Sequence, residues 1–63
     1  MKREEITKNL NRKVEYEKAA YILRGVTISR DEKTRALIYT ANLQDLKAPQ
    51  SYMNVDLRRV NIV

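Results

Sequence analysis

The side chains that could do chemistry in this sequence are mainly cationic. Arg24, Arg30, Lys33 and Arg35 cluster in one stretch, and Arg58 and Arg59 stand together near the C-terminal end. Guanidinium groups suit phosphates and guanine edges, and a basic two-stranded ribbon can enter a major groove. These six residues are the candidate nucleic-acid contacts. Tyr39 and Tyr52 add aromatic surfaces on which single-stranded bases could stack. The blander reading is a solvated hairpin tip whose charges guard a strand edge against aggregation. Thirteen basic and eight acidic residues give a net charge of +5 and a pI near 9.8, with the two signs interspersed. That balance raises the expectation of an anionic partner without resembling a polybasic arm.

Catalytic chemistry finds little to work with. Histidine and cysteine are both absent, which removes the commonest general base and the best thiol nucleophile. Ser29 and Ser51 have no histidine to activate them, and Asp31 and Glu32 belong to a turn segment open to water. Asp45 and Asp56 could face one another across a sheet, although capping and solvation are their ordinary roles. One glycine cannot build a phosphate-cradling loop, and carboxylates alone seldom hold a structural zinc. The expectation is therefore no enzymatic activity, no cofactor, no bound metal and no small-molecule substrate.

Protein binding ranks ahead of nucleic acid. The segment beginning at Arg35 is apolar on both faces, with Leu37 and Tyr39 on one and Ala36 and Ile38 on the other. Val26 and Ile28 add further apolar positions on the preceding segment. One amphipathic helix covers only one face of a sheet, so Val26, Ile28, Ala36 and Ile38 are the candidate interface. A protein partner or a homodimer would cover them, unless the sheet closes on itself within the monomer.

These residues need elements to position them. The organising stretch is Tyr21 to Leu46, where two β-branched-rich runs flank the charged turn Asp31–Thr34 and predict a hairpin. The turn lacks an Asn-Gly or Asp-Gly pair, so a loop of four or five residues is expected. The lone Gly25 lies between two registers of apolar alternation and predicts a bulge that keeps Leu23 and Val26 on one face. The alternative is a helix closing at Gly25. Upstream, Ile6, Leu10 and Val14 recur every four residues in a stretch free of Gly and Pro, which predicts a helix over residues 1–18. Downstream, Pro49 breaks the second run and Ser51–Leu57 resumes alternation as a third strand. Leu57 and Val60 are spaced for a single 3₁₀ turn, and Val60, Ile62 and Val63 read as a short final strand.

The fold class expected is α+β, in one domain spanning residues 1–63. A helix (1–18) packs on an antiparallel β-meander of three main strands (21–63), whose closing rhythm suggests a partial SH3-like barrel. The expected core is Ile6, Leu10, Val14, Leu23, Val26, Leu37, Tyr39, Leu43, Val55, Leu57 and Val60. A chain of 63 residues has a thin stability margin, and without cysteine it has no disulfide to widen it. The absence of cysteine, of a signal-like apolar core at the start, and of any membrane-length apolar run points to a cytoplasmic protein with no membrane partner.

Overall fold

The computed structural model describes all residues, Met1–Val63. Its helical part is short. A 3₁₀ turn at Arg3–Glu5 runs into α1 (Ile6–Asn9), and the Glu5 carboxylate accepts the Lys2 N–H at 2.8 Å. Leu10 then turns extended and Asn11 takes φ 64°, a left-handed conformation that asparagine tolerates better than most residues. The Asn11 N–H donates to the Leu23 carbonyl at 2.7 Å, and the Leu23 N–H donates to Arg12 at 3.0 Å. The chain thus joins the sheet as soon as the helix stops.

The expected helix over residues 1–18 is therefore corrected, because Lys13–Tyr16 is a strand, β1. The four-residue apolar repeat is real, but three different environments use it. Ile6 packs on the core from α1, Leu10 is 37% exposed, and Val14 is fully buried in the sheet. Between β1 and β2 (Ala19–Arg30), Tyr16 pairs with Ala19 across the two residues Glu17 and Lys18. Both have positive φ, 48° and 65°, as a two-residue hairpin turn requires. Neither is a residue type that advertises such a turn, which is why the hairpin is hidden in the sequence.

The long hairpin forms as expected. β2 pairs antiparallel with β3 (Leu37–Asp45), and the register shifts between Leu23 and Gly25. Arg24 is the extra residue of this bulge. Leu23 therefore sits opposite Leu43 while Val26 sits opposite Ala41, on the same face. A Cβ on Gly25 would come within 3.2 Å of the Asn42 side-chain nitrogen, so the bulge also brings the backbone close to its neighbour. β4 (Tyr52–Asp56) pairs with β3, a 3₁₀ turn covers Leu57–Arg59, and β5 (Asn61–Ile62) pairs with β1. The sheet has five antiparallel strands in the order β4-β3-β2-β1-β5, where three main strands were expected.

That order dictates curvature. β4 and β5 are the outermost strands, yet only Leu57–Val60 lies between them. A flat sheet would hold them about 19 Å apart. The connection spans at most about 18 Å fully extended, and much less with a 3₁₀ turn inside it. The sheet must curl, and its concave face encloses the core of Val14, Leu23, Ala41, Leu43, Val55, Leu57 and Val60. Met1, Ile6, Tyr16, Tyr21, Val26 and Tyr39 pack around that core. Each fully buried Leu or Val here is worth about 1.5–3 kcal/mol against exposure. Two expected core members are corrected. Leu10 and Leu37 are exposed, and Ala41 is fully buried on the inner face, opposite Val26 on β2 and Val55 on β4.

The Glu17–Lys18 turn gives a direct test of this topology. A left-handed conformation is unfavourable for lysine and free of Cβ strain for glycine. Lys18→Gly is expected to stabilise the protein by about 0.5–1 kcal/mol in urea denaturation. A helix at this position would instead be weakened by the same change.

Candidate functional site

The hairpin outgrows its neighbours. β1 reaches along β2 only to Ile22, and β4 reaches along β3 only to Thr40. Beyond them the rungs Ile28↔Tyr39, Ser29↔Ile38 and Arg30↔Leu37 have no flanking strand on either side. The result is a two-stranded ribbon projecting from the curled sheet, in a molecule whose longest extent is 37 Å against 22 and 18 Å in the other directions.

Its tip is held by backbone geometry. The Asp31 N–H donates to Ala36 at 2.9 Å, and the Arg35 N–H returns to the Asp31 carbonyl at 2.8 Å, with Arg35 at φ 65°. Asp31 Oδ1 accepts the N–H groups of Lys33 (2.8 Å) and Thr34 (3.2 Å). Arg30 Nη1 donates to the Arg35 carbonyl at 3.0 Å, fastening the strand end to the loop. The loop between the strands, residues 31–36, is longer than the four or five residues expected, and it is ordered by its own hydrogen bonds rather than by contacts with the core.

The apolar candidates divide between two faces. Val26 and Ile28 lie on the concave side with Tyr39 and Ala41, whereas Ile38 lies on the convex side with Thr40 and Ser29. Ala36 precedes the ladder, in the loop. The four residues thus do not form one patch. A shallow hollow along the free side of β3 gathers Ala36, Leu37, Ile38 and Tyr39 beside Asp56 and Arg58. Ile28, Leu37 and Ile38 are 58%, 47% and 42% exposed. Leu37 is the residue that sequence reasoning assigned to the core. The signal for its exposure was the length of the hairpin relative to strands that are hard to delimit from sequence.

The basic candidates also separate. Arg30, Lys33 and Arg35 stay together at the ribbon tip and form no ion pair. Arg24 lies at the bulge, where its Nη1 donates to Asn11 Oδ1 at 2.7 Å. Arg58 folds back on Asp56 with Nη2 2.7 Å from Oδ2 and Nε 3.1 Å from Oδ1, the only salt bridge in the molecule. Arg59 is exposed on the same 3₁₀ turn. Elsewhere, the Tyr39 phenol beside Arg3 favours the charged form of that guanidinium.

The carboxylates that might have been paired for catalysis are apart. Asp45 stands opposite Tyr21 at one end of β3, and Asp56 stands opposite Thr40 on β4. Each caps a turn, since Asp45 accepts from the N–H groups of Lys47 and Ala48 and Asp56 from that of Arg58. No three or more acidic side chains converge as they would around a metal ion. Tyr39 and Tyr52 lie on opposite faces, so they do not make one stacking platform. No helix is long and apolar enough to cross a membrane. No family model, curated protein or solved structure matches this chain.

The Arg58 hydrogen bonds draw the Asp56 carboxyl from 3.8 down to about 2. A depressed pKa stabilises the fold above the ordinary carboxylate value, and that contribution disappears as pH falls through the folded value. Stability should therefore drop between about pH 4 and 2 through this group. Asp56→Asn should remove the Asp56 part of the slope in urea titrations across that window.

Proposed function

We propose that this chain is a small non-catalytic protein-interaction module that binds a protein partner, or a second copy of itself, through its sheet. The observation that carries this reading is the exposure of Ile28, Leu37 and Ile38 on a ribbon without flanking strands. Covering each such side chain recovers a share of the roughly 1.5–3 kcal/mol that full burial is worth. That gain matters in a domain whose net stability is expected to be only a few kcal/mol. The rigid tip lowers the entropy lost on docking, because the loop is already ordered. A partial SH3-like barrel is the form we assign to the curled sheet, supported by the short 3₁₀ link between its outermost strands. The cysteine-free composition suits a cytoplasmic setting.

The test uses the ribbon itself. Ile28→Asp and Ile38→Asp replace exposed groups, so each should change folding stability by less than about 1 kcal/mol. Each should weaken partner capture or self-association at least about tenfold, a loss of 1.4 kcal/mol. Sedimentation at two protein concentrations reads self-association, and immobilised wild-type and variant protein reads partner capture. Variants that bind as well as wild type would sink the reading.

A second reading is favoured by one specific feature. Arg30, Lys33 and Arg35 present unpaired cations on a rigid two-stranded tip, a shape that enters nucleic-acid grooves in other settings. If the tip binds duplex DNA, fluorescence anisotropy should show affinity falling steeply with salt. Lys33→Ala should then lower the log–log slope by about one unit. Arg58→Ala should leave the slope unchanged, because Asp56 already engages that charge. No binding at micromolar protein and low salt removes this alternative.

A further inference from the structure

The sheet leaves four stretches of edge without a neighbouring strand. The distal part of β2 begins at a bulge and carries Arg24 and Arg30, and bulges and cations both keep an edge from being extended. β5 offers only Asn61 and Ile62. The outer edge of β4 has no such device, and its one charged residue is the acidic Asp56. β3 supplies the fourth stretch, since β4 stops opposite Thr40 and leaves Leu37–Tyr39 uncovered, again without a protecting device. Its backbone groups are assigned by their alternation along the strand. The Asp45 N–H donates to Ser51 on the β4 side, and the Ala36 carbonyl accepts from Asp31 on the β2 side. Residues of odd number in β3 therefore face β4. The N–H and C=O of Leu37 and the N–H of Tyr39 point to that side where the ladder has already ended.

The β3 edge differs from the β4 edge in what surrounds it. The hollow along it, lined by Ala36, Leu37, Ile38 and Tyr39 beside Asp56 and Arg58, measures about 220 Å³. Small-molecule sites usually run to about 300–1,000 Å³, so this one suits a single apolar side chain of a larger partner. Cations bracket the edge: Arg35 lies two residues before Leu37, and Arg3 lies beside the Tyr39 phenol. The nearby carboxylates of Asp31 and Asp56 are already engaged, by loop N–H groups and by Arg58. Arg35 is also held at φ 65°, a left-handed conformation in which glycine would be free of strain. A charged side chain kept at such a position is a mark of use rather than of stability. We infer that the ribbon's partner is an acidic protein, which adds a short extended segment to the Leu37–Tyr39 edge with an apolar side chain in the hollow and carboxylates toward Arg35 and Arg3. This rests on the protein-binding reading and names the chemistry of the partner. Strand addition draws affinity from backbone hydrogen bonds and specificity from alternate side chains. A second copy of the chain brings the same cations and does not complement them. A nucleic acid would use the charges but neither the free backbone groups nor the hollow.

Amide exchange followed by NMR tests the edge and the charge separately. In the free protein the Leu37 and Tyr39 N–H groups should exchange quickly. A blocked octapeptide of alternating glutamate and valine should slow both at least about tenfold. The amides of Val26 and Ile28 on β2, and of Tyr52 and Asn54 on β4, should stay unchanged. The corresponding lysine–valine peptide should bind at least about tenfold more weakly, with the difference shrinking as salt rises. Arg35→Gly should weaken the glutamate peptide at least about threefold while raising the urea midpoint, a combination that a purely structural arginine would not give. Protection at Tyr52 and Asn54 instead, equal binding of the two peptides, or no protection by either at millimolar peptide overturns the inference. Duplex DNA that binds more tightly than the peptide and leaves the Leu37 and Tyr39 amides unprotected assigns the cations to nucleic acid and overturns it as well. Each of these results leaves the ribbon reading to the Ile28→Asp and Ile38→Asp variants, whose unimpaired binding would remove both.

Discussion

Four residues, Leu57–Val60, join the two outermost strands of a five-stranded sheet. Most of the architecture depends on that short span. Because the link cannot cross a flat sheet, the strands must curl until their inner faces enclose a common volume. Leu57 and Val60 are buried at the two ends of the link itself, so the connection is also part of the core it creates. The Met1 ammonium donates to the carbonyls of Leu57 and Val60, which places the N-terminal segment over the same turn. α1 is an accessory to this arrangement. It contributes Ile6 to the periphery of the core and has no fully buried residue.

Curvature also explains why some elements were legible in the sequence and others were not. The bulge was readable because Gly25 sits where two alternation registers collide, and a curled strand needs such an irregularity to keep Leu23 and Val26 facing inward. The 3₁₀ turn and final strand were readable from the spacing of Leu57, Val60 and Ile62. β1 was hidden for the opposite reason. Its turn uses Glu17 and Lys18 in left-handed conformations, and Val14 falls in step with Ile6 and Leu10 by helical count. Tertiary pairing with β2 and β5 overrides that local preference. The fold class was within reach of pattern, but the strand number depended on contacts that no local window contains.

The candidate surfaces were legible as residue types and not as geometry. Ile28 and Ile38 stand exposed, but on opposite faces, because the register that pairs Ser29 with Ile38 sends neighbouring side chains to opposite sides. The six cations divide into a tip cluster, a bulge arginine and a carboxylate-bound arginine with its neighbour. A one-dimensional reading cannot distinguish these settings, since the Asp56–Arg58 pairing depends on the turn between them. Leu37 is the most informative error. Its alternation with Tyr39 and Leu43 fits a core strand, yet the hairpin continues past the point where a core exists. The ribbon separates strand formation from burial, and only the relative reach of β1 and β4 reveals where one ends.

The pairing of β1 with β5 sets Val14 beside Ile62 and makes the last part of the chain complete the sheet that one of its first strands began. In kinetic language, this is a high-contact-order closure. The β2–β3 hairpin can form early, since its strands are joined by a short ordered loop and pair locally. β4 can add to it next as a neighbour in sequence. β1 can associate with β2 through its two-residue turn, but the two edges cannot be brought together until nearly the whole chain is available. Loop-closure entropy for that final step is lost before its contacts repay it. A chain of this size that was mostly helical would avoid the delay. By contact order, the joining of the two edges is the step expected to be slowest in this topology.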